Sequence, residues 1–302
     1  MAMKRANATT RKAPGPDGLD PAYLRLLVEA ALAEDRASDD ITTIALIASE
    51  QQGRAVIIAK SEGILAGTGV AEATFAAIDS SLRWRGDKAD GDHISPGDSI
   101  AAIEGAVARI LCAERTALNF LAHLSGVASA AATVVAQLEG TNCHLRDTRK
   151  TTPGLRVLEK YAVRTGGGTN HRLDLSDGIL IKDNHLAALR ARGLDIPDAV
   201  RLARKANAAV RIEIEVTSVA EARLAMAAGA DELLLDNMSL RDMRDVVHVA
   251  AKRDPRPVLE ASGGITLASA RAVAETGVDY ISMGAITHSA PALDMSLEVE
   301  TT

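Results

Sequence analysis

Between Asp147 and His185, eight potential cations fall in under forty residues: Arg149, Lys150, Arg156, Lys160, Arg164, His171, Arg172 and Lys182. A solvated basic face would space such charges at helical intervals, interspersed with acids. Here they stand beside Thr151, Thr152, Pro153 and the run Gly166-Gly167-Gly168, which read as turns rather than as a helix face. Cations held on turns at strand ends imply a pocket for an anionic small molecule, and arginine forks suit carboxylates. The three glycines would let backbone approach a ligand closely. His171, flanked by Asn170 and Arg172, reads as a ligand contact, whereas His185 and His288 read equally well as structural.

Acids and glycine-rich turns follow. Glu215 and Asp236 each close a strand-like run and could bind ribose hydroxyls or Mg²⁺. Local ion pairing is a fair competitor for either one alone. Glu213 shares a strand face with Glu215 at a spacing of two but lies further from the strand end. Glu260 to Ile265 (EASGGI) and Ser282 to Ser289 (SMGAITHS) place Ser262, Gly263 and Gly284 in turns after the last two strands. Barrels commonly seat a phosphate there on backbone N–H groups. No HExxH, GxSxG or Walker pattern occurs in the sequence, so zinc-peptidase, serine-hydrolase and P-loop chemistries lack support.

The elements that must position these residues fall into two groups. Residues 21 to 37 read as an amphipathic helix, Asp39 to Thr43 as the start of a strand, and residues 54 to 105 as short strands around a helix at 70–78. That pattern predicts an α+β N-terminal domain with a small sheet. Arg109 to Leu124 reads as a long helix, interrupted at Ser125-Gly126 and resumed to Leu138, with a domain boundary near Gly126. From Asn142 the pattern becomes βα units, with strands at Cys143–Arg146, Gly178–Lys182, Val210–Val216, Glu232–Leu235, Pro257–Glu260 and Asp279–Met283. Helices fill 186–206, 218–228, 239–253 and 266–275. Such units imply a parallel sheet, and the polar residues at nearly every strand end favour a barrel, which brings those ends to one face.

Composition limits the classes open to the chain. A length of 302 residues suggests about two domains. Aromatics are only 2% and the net charge is −6, which excludes a general nucleic-acid binder. Cys112 and Cys143 lack metal-type spacing and read as reduced thiols of a cytoplasmic protein. No run of about 18 apolar residues suggests a membrane span. Residues 1 to 18 read as a disordered tail without a signal-peptide core.

Taken in order, the motifs DDITT, ERTALNFLAHLSG, DTRKTTPGLR, YAVRTGGGTNHR, LIKDNH, EIEV, LLLDNM, EASGGI and VDYISMGAITHS resemble the quinolinate phosphoribosyltransferase family over about residues 19 to 297. The resemblance implies a type II phosphoribosyltransferase: an N-terminal open α/β sandwich (19–126, rejoined by 289–302) and a C-terminal incomplete α/β barrel (127–288). It implies conversion of quinolinate and phosphoribosyl pyrophosphate, with Mg²⁺, to nicotinate mononucleotide, pyrophosphate and CO₂ in NAD biosynthesis. Carried over by motif, Arg115, Arg149, His171, Arg172 and Lys182 match a cationic quinolinate pocket, with Arg115 supplied by the other subunit of a head-to-tail homodimer. Lys150, Glu215 and Asp236 match positions holding ribose, metal and pyrophosphate, with Glu215 and Asp236 at the metal. Ser262, Gly263 and Gly284 match phosphate-binding turns. AEDRASDDITT lacks a glycine pair usual before DITT, which touches loop shape more than chemistry. Dimer and hexamer both remain open.

Three rivals stand beside this expectation. A relative acting on another pyridine carboxylate, such as nicotinate, would need fewer cations. A barrel lyase would use Lys150 or Lys182 as a Schiff base. A non-catalytic sensor of phosphoribosyl ligands would have little use for intact acids at Glu215 and Asp236.

Overall fold

The computed structural model describes residues 19–300; the tail expected at 1–18 lies outside the described residues. Its N-terminal part runs α1 (Pro21–Glu34), α2 (Ile41–Leu46), β1 (Gln52–Ala59), β2 (Gly63–Ile64), α3 (Thr68–Ile78), β3 (Arg83–Gly86), β4 (His93–Ile94) and β5 (Ser99–Ala106). The long helix α4 (Val107–Leu138) follows. Asp39–Thr43 is therefore no strand. Asp40 caps α2 instead, its carboxylate accepting from the Thr42 and Thr43 N–H groups, the local competition that favours aspartate at helix starts.

The remainder runs β6 (His144–Arg146), α5 (Arg156–Thr165), β7 (Ile179–Ile181), α6 (Asp183–Arg190), α7 (Ile196–Ala206), β8 (Ile212–Val216), α8 (Val219–Ala227), β9 (Glu232–Asp236), α9 (Leu240–Ala250), β10 (Val258–Ser262), α10 (Leu267–Ala274), β11 (Tyr280–Ser282), α11 (Ala285–His288) and β12 (Met295–Glu300). The six expected strands all form and pair in parallel in the order β6-β11-β10-β9-β8-β7. β6 and β7 do not pair, and a single bridge from Arg146 to Thr169 runs along the free edge of β6. The barrel is thus open at one seam, an α/β architecture of the type II phosphoribosyltransferase kind. A four-stranded antiparallel sheet, β12-β1-β5-β3, forms the other layer, and β12 returns from beyond the barrel to pair with β1 along its whole length.

Helix α4 joins the two. Its first half carries Ile110, Leu118 and Leu121 into a core with Ile57, Phe75 and Ile103, and its second half carries Val127, Ala131 and Val134 into the barrel core. Ser125 and Gly126 do not interrupt it. A Cβ on Gly126 would lie 2.1 Å from the Pro291 carbonyl oxygen, so this glycine is where the returning chain crosses. The Ser125 hydroxyl accepts from the Ala66 N–H at 3.0 Å. Small polar residues here mark contacts rather than a break. With 32 residues, α4 is long and apolar enough to cross a membrane, but 56% of its apolar window is buried within the protein, the signature of a core helix.

Two further differences bear on the site. The segment expected as one helix at 186–206 is α6 and α7, divided where Gly193 takes a φ of +74°. And α5 was not foreseen: Arg156, Lys160 and Arg164 stand on it at i, i+4 and i+8, the helical spacing first set aside for these cations.

Candidate active site

In every barrel strand, alternation decides what faces inward. On β9, Leu233 and Leu235 are fully buried against helices, while Glu232, Leu234 and Asp236 face the barrel axis. On β10, Leu259 and Ala261 pack outward and Glu260 and Ser262 inward. This lines the barrel with charge instead of the usual branched aliphatics. Below the cleft floor, Arg146 Nη1 donates to Glu232 at 3.0 Å and to Glu260 at 2.7 Å, and its guanidinium sits 3.5 Å from the centre of the Tyr280 ring. Arg211 donates to the other oxygen of Glu232 at 2.6 Å. Arg146 and Glu232 were missed by sequence reasoning, although the signal was there: charged residues two apart in strands, as in His144/Arg146 and Glu213/Glu215.

The C-terminal strand ends surround a cleft of about 470 Å³. Arg149, Lys150, His171, Arg172, Lys182, Glu215, Asp236 and Ser262 all line it, joined by Thr148, Leu180, Asp183, Asn184, Leu234, Glu260 and Ser282. Strand order fixes the division of charge. The seam strands β6 and β7 lead into Arg149-Lys150 and Lys182, while β8, next to β7, and β9 beyond it carry Glu215 and Asp236. Gly284 adjoins the cleft, because a Cβ there would lie 3.0 Å from the Lys150 Cδ. Gly263 has a φ of +89°, and a Cβ on it would meet the Asn237 amide at 2.5 Å. Asn237 itself is left-handed, with φ 52°, and donates to Asp236 at 2.9 Å.

Arg115 and the glycine run fall elsewhere. Arg115 lies on α4 outside the cleft, its side chain 64% exposed and its nearest acid Glu114 at 3.9 Å. Gly166 to Gly168 do not line the cleft. A Cβ on Gly166 would lie 2.1 Å from the Ala128 carbonyl oxygen and one on Gly168 would lie 2.7 Å from Val163, so the run closes α5 against α4. His185 is structural, its Nδ1 accepting from the Lys182 N–H at 2.9 Å.

Among the described residues, Arg149, Lys150, Arg172 and Lys182 have no carboxylate within 4.0 Å, although ion pairs are plentiful elsewhere. Arg149 Nε is buried with no protein partner. Burial, then the neighbouring Arg149 charge, holds the Arg172 guanidinium below its ordinary pKa. Such a like-charged pair suits an anion. On β8, burial followed by the charges of Asp236 and Asp183 pushes the Glu215 carboxyl up, which suits a cation between the acids.

His171 lines the cleft. Nδ1 accepts from the Arg172 N–H at 2.7 Å, so Nε2 carries the proton of the neutral ring. Nε2 lies 2.8 Å from Glu213 and 3.8 Å from Glu260. These three residues cluster at metal-ligand distances, but a protonated Nε2 has no lone pair for a cation. Burial opposes charge on this ring; the bond to Glu213 and the charges of Glu260 and Glu213 outweigh it and raise the pKa. Taking up a second proton would break the bond to Arg172.

This fold recurs in known proteins. Residues 40–125 match the Quinolinate phosphoribosyl transferase, N-terminal domain, and residues 127–298 the C-terminal domain. A curated relative in Bacillus subtilis, described as a probable nicotinate-nucleotide pyrophosphorylase [carboxylating], is 44% identical over 91% of this chain and 93% of its own. The human nicotinate-nucleotide pyrophosphorylase [carboxylating] is 39% identical over 93% of each chain. Among solved structures, the nicotinate-nucleotide pyrophosphorylase from Francisella tularensis superposes with a TM-score of 0.87 at 38% identity, covering 96% of this chain and 100% of that one. With both halves matched and whole-length relatives well above chance identity, the chain belongs to the quinolinate phosphoribosyltransferase family.

Proposed function

We propose that this chain is a carboxylating nicotinate-nucleotide pyrophosphorylase. It joins quinolinate to phosphoribosyl pyrophosphate and yields nicotinate mononucleotide, pyrophosphate and CO₂ in NAD biosynthesis. The observation that carries the reading is the set of four cations, Arg149, Lys150, Arg172 and Lys182, lining one cleft with, among the described residues, no carboxylate within 4.0 Å of any of them. A pyridine with two adjacent carboxylates satisfies such a set, and a monocarboxylate leaves part of it unpaired. Arg149, Arg172 and Lys182 are assigned to the dicarboxylate, and His171 seats Arg172 through the bond at Nδ1.

The ring nitrogen is the nucleophile. As it bonds to the ribose carbon, the bond to pyrophosphate breaks and positive charge develops on the sugar, which Glu215 and Asp236 stabilise electrostatically. The same two acids would hold Mg²⁺, whose charge offsets that of pyrophosphate when bound. Lys150, beside Gly284, meets the pyrophosphate side, with the turns at Ser262, Gly263 and Gly284 offering backbone N–H groups. The carboxylate next to the ring nitrogen then leaves as CO₂, its bonding electrons stay on the ring carbon, and that carbon takes up a proton. Leu180 and Leu234 give the cleft an apolar portion that keeps this carboxylate from water.

The reading includes a homodimer with shared sites. It is supported by the exposed Arg115 and by Ile41, Ile44 and Leu46 of α2, which are 81%, 69% and 74% exposed, an apolar group of the kind that marks association surfaces. It also includes work in the cytoplasm without nucleic acid or membrane, in keeping with the net charge of −6. The test is product formation. Quinolinate, phosphoribosyl pyrophosphate and Mg²⁺ should give nicotinate mononucleotide, and nicotinate in place of quinolinate should give almost none. Equal product from nicotinate would favour a relative acting on that acid, and inactivation by borohydride with substrate would favour a Schiff-base lyase.

A further inference from the structure

Two neighbouring charged residues of α5, Glu159 and Lys160, are almost wholly buried, at 0% and 1% exposure, and neither reaches the cleft. Successive helix positions differ by roughly 100° around the axis, so the two side chains leave α5 toward different loops. Glu159 accepts from His123 Nε2 of α4 at 2.9 Å and from the Thr152 N–H at 3.1 Å. Thr152 belongs to the loop that carries Arg149 and Lys150. Arg156, one turn earlier, donates to the Thr151 hydroxyl at 3.1 Å in the same loop.

Lys160 goes the other way. Its Nζ donates to Asp147, which is fully buried, and to the His171 carbonyl at 3.0 Å. Asp147 accepts in turn from the His171 N–H at 2.9 Å and from the Asn170 amide at 2.6 Å. Asn170 also donates to the Lys160 carbonyl at 2.9 Å. These bonds fix the segment that carries His171 and Arg172. Lys160 is paired with Asp147 and Glu159 is bonded to His123 and Thr152, whereas the cations they place have no carboxylate partner among the described residues.

We infer that Glu159 and Lys160 are positioning residues that set the two cation-bearing loops of the cleft independently, Glu159 the loop of Arg149 and Lys150 and Lys160 the segment of His171 and Arg172. The inference rests on the assignment of those cations to ligands made above. It turns one helix into the support of both walls flanking the barrel seam, and it explains why a charge pair of opposite sign sits buried in consecutive positions away from any substrate.

Hydrogen–deuterium exchange on the full chain tests it without reference to activity. Glu159→Gln should speed exchange at least tenfold in residues 148–155 and leave 169–173 within twofold of the parent, and Lys160→Met should do the reverse. Calorimetry should follow suit. Lys160→Met should weaken quinolinate at least tenfold with phosphoribosyl pyrophosphate within twofold, and Glu159→Gln should weaken both. Lys160→Met leaves Asp147 buried without its cation, a costly change. If it does not fold, Asn170→Ala cuts the same segment's bonds to Asp147, Lys160 and Arg164 while leaving the Lys160–Asp147 ion pair in place, and should loosen 169–173 alone. Loops that loosen together, or not at all, overturn the inference. Loops that loosen separately with unchanged affinities uphold it and overturn the ligand assignment instead.

Discussion

Replacing Arg149 by alanine should separate binding from stability in opposite directions. In the free protein the Arg149 Nε is buried and unpartnered, and its charge, after burial itself, lowers the neighbouring Arg172. Removing it deletes an unsatisfied donor and a like-charge contact. The gain is small because Arg172 is only partly buried, so solvent screening leaves about 0.3 kcal/mol for the charge contact, and Tm should hold or rise by less than about 1 °C. In the complex the loss is large. Each guanidinium–carboxylate hydrogen bond contributes about 1.5–3 kcal/mol, and a two-point fork about 3–4 kcal/mol, so quinolinate affinity should fall by about two to three decades. Phosphoribosyl pyrophosphate, assigned to Lys150 and the glycine turns, should change by less than about threefold. Arg149→Lys restores the charge without the fork and should recover only part of the affinity. Calorimetry with each ligand and a thermal melt read all three quantities. A melt lowered by several degrees, or equal losses for the two ligands, would refute the reasoning.

Further outcomes follow from the same geometry. Asp236→Asn keeps shape and the contact with Asn237 but removes charge from the acid wall, so turnover should collapse with the melt within about 2 °C of the parent; unchanged turnover at limiting Mg²⁺ would sink the metal role. Arg115→Ala and Lys150→Ala should each be inactive, yet mixed subunits should recover roughly a quarter of native activity, because half the dimers are mixed and each has one intact site. A mixture that stays dead while mass spectrometry shows exchanged dimers would mean that Arg115 acts within its own chain. Burial, followed by the nearby Asp279 charge, pushes the Cys143 thiol up to about 12. It is therefore protonated at neutral pH and should resist thiol reagents from pH 7 to pH 9 until the protein unfolds; rapid labelling in native buffer would contradict its burial.

Much of the barrel was legible because each βα unit repeats one pattern, a short apolar run ending in polar residues. Lys182, Glu215, Asp236 and Ser262 therefore converge as alternation and strand polarity require. Local chemistry hid the rest. Thr-Thr-Pro-Gly before Leu155 and the glycine run after Thr165 look like turn on both sides, so the ten residues of α5 between them were read as turn too. Ser125-Gly126 looks like punctuation, yet its reason is a tertiary crossing by Pro291 that no window on the sequence contains. The Asp39–Thr43 β-branched run suggested strand propensity, and a single aspartate cap decided for helix. The interior charge ladder of Arg146, Glu232 and Glu260 needed strands to be overlaid in register, which requires the sheet order as well as the sequence. The exposed position of Arg115 on α4, outside the cleft, likewise depends on how α4 packs between the two layers.

The most direct measurement follows the carboxylate that leaves. Quinolinate labelled in the carboxylate next to the ring nitrogen is supplied with phosphoribosyl pyrophosphate and Mg²⁺, and labelled CO₂, pyrophosphate and nucleotide are counted together. The account predicts one labelled CO₂ for each pyrophosphate and each nicotinate mononucleotide, with all three abolished in Lys150→Ala. Pyrophosphate released while the label stays in the nucleotide, or no pyrophosphate at all, would contradict it.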